Sequence, residues 1–127
     1  MTPQEQNIAI AEACGWTIAD QGEDGAYLMR RPDGEGCEYW KDDMHQACNI
    51  LKMPSYTTDL NAMHEAEKTL IGPQAIFYER TIDSLVRGQA TTQPGDRYPK
   101  AASVCAWHAT AAQRAEAFLK TIGKWKE

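Results

Sequence analysis

Apolar residues recur at helical spacing near both ends and through the second half of the chain, with short strand-like runs between. Thr2-Pro3-Gln4-Glu5 has the form of a capping box, with Thr2 as N-cap, Pro3 at the first helical position and Glu5 reaching back. Ile8, Ala9, Ala11 and Ala13 supply an apolar side, and Gly15 is the natural stop. Trp16-Thr17-Ile18 follows directly and can pack beside this helix. Residues 26–40 then read as a hairpin: Ala26–Arg31 and Cys37–Trp40 are strand-like, and Pro32-Asp33-Gly34-Glu35-Gly36 carries the turn chemistry.

Residues 41–57 are polar and then apolar around Ile50, Leu51, Met53 and Pro54, a pattern that predicts a short turn or strand. Thr57 or Thr58 caps the next helix, Asp59 suits the positive end of its dipole, and Gly72 ends it. Leu60, Met63, Glu67 and Leu70 share one side of that helix, with Ala66 nearby. Pro73 opens a further helix through Arg87, with Ile76, Phe77, Ile82, Leu85 and Val86 apolar and Gly88 as its stop. Gln89–Lys100, with its prolines and glycine, reads as a surface loop, and Ala101–Trp107 as a strand. His108–Ile122 is a helix ended by Gly123; Ala111, Ala115, Phe118 and Ile122 face inward, and Trp125 folds back. Four helices with three or four strands, mixed along the chain, predict one α+β domain over residues 1–127, its small, mostly antiparallel sheet carrying helices on its faces.

Composition narrows the function classes. The 127 residues are 43% hydrophobic and 24% charged, ordinary for a globular domain with its own core. A net charge of −5 disfavours general nucleic-acid binding, and leaves room for a local basic pocket or a basic partner surface. No apolar run approaches the roughly 20 residues that span a bilayer, and the first residues carry neither a basic segment nor an apolar signal core. No membrane partner and a cytoplasmic location are therefore expected. There Cys14, Cys37, Cys48 and Cys105, scattered without a C-x-x-C pair, read as reduced, buried small residues.

No constellation rises to a catalytic motif. In Met63-His64-Glu65-Ala66-Glu67-Lys68, a metalloprotease helix would need a second histidine where Lys68 stands, so His64 reads as a packing and hydrogen-bonding residue. Asp59, Asn61, His64 and Glu65 form a polar edge suited to an intramolecular network or a ligand contact. Cys105 and His108 lack a surrounding nucleophile motif, and Gly34-Glu35-Gly36 lacks the lysine and helix of a phosphate loop. No enzyme activity, no metal and no cofactor are expected. The four tryptophans and five tyrosines are abundant for this length. Trp16 and Trp107 read as core, whereas rings beside arginine can stack a base and clamp its phosphates. The candidate ligand-binding residues are Tyr27, Arg30, Tyr39, Trp40, His64, Arg97 and Tyr98.

Three phrases, Ile8–Trp16, Tyr56–Lys68 and His108–Trp125, occur in the order seen in the phage ABA sandwich domain, and the chain resembles that family over nearly its whole length. The resemblance implies an α/β/α sandwich, a sheet covered by helices on both faces, and expression from a phage or prophage in a host bacterial cytoplasm. It brings no catalytic motif. The expected function is that of a non-enzymatic accessory protein that blunts a host defence. It would sequester a small nucleotide signal, at a homo-oligomer interface for example, or block a host defence protein through an acidic surface. The alternative is a structural or housekeeping phage protein without a small-molecule ligand.

Overall fold

The computed structural model describes residues 1–89 and 108–127. Five helices and one three-stranded antiparallel sheet make up the described chain, an α+β fold with helices packed on the sheet, as the residue pattern predicts. In order these are α1 (Pro3–Ala13), β1 (Thr17–Asp20), β2 (Ala26–Arg30), β3 (Gly36–Trp40), α2 (Met44–Ile50), α3 (Leu60–Glu67), α4 (Pro73–Gln89) and α5 (Ala111–Thr121). A single 3-10 turn, Lys41–Asp43, leads from β3 into α2.

Helix α1 begins and ends as its residues dictate. The Thr2 hydroxyl accepts from the Glu5 amide at 3.2 Å, and the Glu5 carboxylate accepts from the Thr2 amide at 2.6 Å. The Thr2 amide first, then the Thr2 hydroxyl, holds the Glu5 carboxyl below its ordinary value. At the other end Trp16 N–H donates to Ala11 O at 3.0 Å and Gly15 N–H to Glu12 O at 3.2 Å, a Schellman turn. Gly15 adopts φ +99° there, a conformation that a side chain would resist. The turn delivers Trp16 into the core.

The strands form a meander in the order β1-β2-β3. Register pairs Ile18 with Met29, Met29 with Cys37, and Tyr27 with Tyr39, so these side chains share the inner face. Leu28, Arg30, Glu38 and Trp40 take the outer face, where Arg30, Glu38 and Trp40 are exposed. Gly36 opposes Arg30 so closely that a Cβ on it would lie 3.0 Å from the Met29 carbonyl oxygen. The inner face joins Ile10, Met63, Ile82, Phe118 and Leu119 in one core. Helix α5 is its centre: it packs against α1, α3 and α4, and its buried Ala111, Ala115 and Ala117 allow close approach.

The structure departs from the residue pattern at several boundaries. Residues 44–50, expected as a turn or strand, are helix α2, too short and with too few buried positions to show a period. Residues 17–20, expected only to pack beside α1, are strand β1, whose inward residue is Ile18. Asp59 caps α3 instead of Thr57 or Thr58: its carboxylate accepts from the Asn61 amide at 2.9 Å and the Ala62 amide at 3.4 Å. Thr57 instead donates its amide to Asn7 Oδ1 at 3.0 Å, tying this loop to α1. Helix α3 ends at Glu67, short of Gly72, and Leu60, its first residue, is exposed. Helix α4 runs through Gly88 to Gln89, since glycine weakens a helix without necessarily stopping it. Helix α5 starts at Ala111 and not at His108, because Thr110 and Gln113 close a capping box. The strand expected at 101–107, and the loop expected at 89–100 beyond Gln89, lie outside the described residues.

Candidate functional site

Two places gather the polar and aromatic side chains that could carry function. The first is a cluster at the junction of α3, α4 and α5. Glu67 is the last residue of α3, where the helix dipole disfavours a carboxylate. Arg114 on α5 offsets this: its Nη1 donates to Glu67 Oε1 at 3.0 Å, with 11% and 18% of the two side chains exposed. The Tyr78 hydroxyl on α4 donates to the same oxygen in a short hydrogen bond. On Oε2, His64 Nδ1 lies 3.1 Å away; an ionised carboxylate only accepts, so Nδ1 carries the hydrogen.

Burial first, then the Glu67 hydrogen bond and charge, push the Tyr78 hydroxyl far above its ordinary value. Burial opposes the Arg114 charge, but Glu67 and Tyr78 outweigh it and raise that group overall. Both Glu67 oxygens are thus engaged, and the cluster reads as a three-helix clamp. His64 is exposed at its rim, while Lys68, one turn on, pairs with Glu65 at 2.6 Å. Asp59 and His64 therefore hydrogen-bond within α3, as the polar edge of this helix suggested. Sequence reasoning placed Glu67 on the apolar side of α3 and passed over its role; a carboxylate in an apolar stripe was the available signal.

The second place is the hairpin. Tyr27 and Tyr39 stack with centroids 5.6 Å apart and planes 22° from parallel, but on the inner face, with Tyr39 only 5% exposed. Among the described residues its hydroxyl has no hydrogen-bond partner. Burial first, then the nearby Cys48, Tyr27, Cys37 and Glu12, raise this group above its ordinary value. Arg30 and Trp40 lie on the outer face at opposite ends of the hairpin, about 13 Å apart along the strands. The candidate ligand residues therefore do not converge: one pair is core, one pair spans an open face, and His64 lies on α3. Arg97 and Tyr98 lie outside the described residues.

Cys14, Cys37 and Cys48 are free thiols, half-buried. Burial raises Cys14, against the opposing effect of a hydrogen bond from Tyr56. Cys105 is outside the described residues. Among the described residues, no group of three or more His, Cys, Asp or Glu side chains is placed to hold a metal ion, and no helix is long and apolar enough to cross a membrane. No family model matches the chain, and no curated protein or solved structure matches it.

Proposed function

We propose that this chain is a non-enzymatic phage accessory protein acting by binding in the host bacterial cytoplasm, where it blunts a defence system by occupying a protein surface. The observation that carries the reading is Trp40, 55% exposed on a regular strand, on the same open face as the exposed Arg30 and Glu38. A large ring exposed to water on a strand is an anchor for a partner. The clamp at Glu67 supports the same reading, because its carboxylate is fully engaged by structural partners.

Between the two binding modes, the separation of Tyr27 and Tyr39 from Arg30 and Trp40 favours an extended partner over a small nucleotide, which needs its stacking and phosphate groups close together. A calorimetric panel of cyclic and linear nucleotides, beside native mass spectrometry of the protein taken from cells, tests this. A retained host protein supports the reading. A retained nucleotide would restore signal sequestration.

The structural phage protein remains a second reading on one specific observation. Ile71, Ile76 and Phe77, around the start of α4, are 74%, 55% and 54% exposed, an apolar group suited to self-association. Sedimentation of the wild type and Phe77→Glu decides it: a homo-oligomer lost in the variant favours that reading.

A further inference from the structure

The geometry points to the end of the sheet around Trp40 as a docking surface for a cationic polypeptide segment, a conclusion that rests on the binding reading above. Register brings two acidic turns together there. Asp20 opposes Tyr27 and Trp40 opposes Ala26, so the β1–β2 turn and the 3-10 turn after β3 lie at one end of the sheet. Asp20, Glu23, Asp24, Asp42 and Asp43 are all exposed, and Lys41 is the cation among them, a local balance of 1 − 5 = −4. Glu38 adds a further exposed carboxylate beside Trp40 on the outer face.

What marks this end is the number of unpaired carboxylates that two turns gather there. Elsewhere among the described residues six carboxylates are paired within the fold, Asp33 and Glu35 with Arg31, Glu65 with Lys68, Glu67 with Arg114 and His64, Asp83 with Arg87 and Glu116 with Lys120, and unpaired ones such as Glu12, Glu79 and Glu127 stand singly on other segments. Among the described residues, Asp20, Glu23, Asp24, Asp42 and Asp43 enter no ion pair. Asp20 accepts the Gly22 amide at 3.2 Å, and Asp43, at the start of α2, makes no side-chain cap bond. Such a concentration of like charge repels itself, anionic ligands and nucleic acid, and attracts a basic chain. Trp40 supplies the complementary feature, since an arginine or lysine over an indole face gains a cation–π contact. Acids gathered at the same end of the sheet as an exposed indole therefore suit a segment that presents several cations, one seated on the ring.

The test titrates the full chain with hexa-arginine and with hexaglutamate, following tryptophan fluorescence and calorimetry at increasing salt. Saturable one-to-one binding of hexa-arginine, weakening with salt, is expected, with no response to hexaglutamate. Trp40→Ala and the Asp42→Asn/Asp43→Asn pair should each weaken it roughly tenfold. Glu79→Gln and Glu127→Gln, remote acids, should leave it unchanged. Equal losses from the remote pair, or none from Trp40→Ala, would mean diffuse attraction and overturn the site. A nucleotide quenching Trp40 while the peptide does not would overturn the cationic partner but leave a binding function standing. Self-association that Trp40→Ala abolishes would likewise overturn it, in favour of a second copy of this chain. Silence toward every ligand, in a monomer, would remove both this site and the binding reading.

Discussion

Carboxylates occupy opposite circumstances at the α3 terminus and at the acidic end of the sheet. Glu67 is mostly buried and surrounded by Arg114, Tyr78 and His64. Asp20, Glu23, Asp24, Asp42 and Asp43 are exposed at the same end of the sheet as Trp40 and form no ion pair among the described residues. The first arrangement has used its interaction capacity to join three helices. The second keeps its capacity for something outside the fold. The conspicuous histidine-and-glutamate helix thus belongs to the architecture, and the plainer acidic turns are the better place to look for a partner.

The sharpest break of this contrast comes from Glu67→Ala. It removes the carboxylate that a mostly buried guanidinium and a buried phenol share and should cost about 2–4 kcal/mol in urea denaturation. A loss under about 1 kcal/mol would mean that the clamp does not hold the helices together. Next in size is Tyr78→Phe, expected to cost about 1–2 kcal/mol, against Tyr39→Phe, whose unpartnered hydroxyl should be removable within about 0.5 kcal/mol or with a gain.

The pH profile sharpens the same point. Burial first, with Glu67 for Tyr78 and Cys14 for Tyr56, holds both phenols neutral in the folded chain well above the ordinary value of 10.0. Above that value the folded state binds more protons than the unfolded one, so stability falls as pH rises. The phenol contribution is fully present below it. Denaturation midpoints between neutral pH and pH about 11 read the slope, and Tyr78→Phe should flatten it. Smallest of all, Asp42→Asn/Asp43→Asn should change stability by no more than about 0.5 kcal/mol, with a slight gain from relieved repulsion. A large loss there would show these acids to be structural after all.

The chain's residues announce its fold better than its sites. Capping boxes and glycine stops are local codes, which is why α1 and the hairpin stand close to where Thr2, Gly15 and the Pro32–Gly36 turn put them. The box at Thr110 and Gln113 was equally readable, but the alanine-rich stretch from His108 concealed it. Helix α2 and strand β1 are not legible in the residue pattern because each is short and buries little, leaving no period. The Glu67 clamp joins residues 47 positions apart along the chain, Glu67 and Arg114, and no local spacing encodes that. Strand parity, which sends Tyr39 inward and Trp40 outward, decided which aromatics remain for binding; the count of rings alone did not.

The division between clamp and docking surface is tested most directly by one calorimetric comparison: hexa-arginine titrated into the wild type, Trp40→Ala and Glu67→Gln under conditions where all three are folded. Unchanged affinity in Glu67→Gln and a roughly tenfold loss in Trp40→Ala is the predicted result. The reverse, binding that follows Glu67 and ignores Trp40, would contradict it.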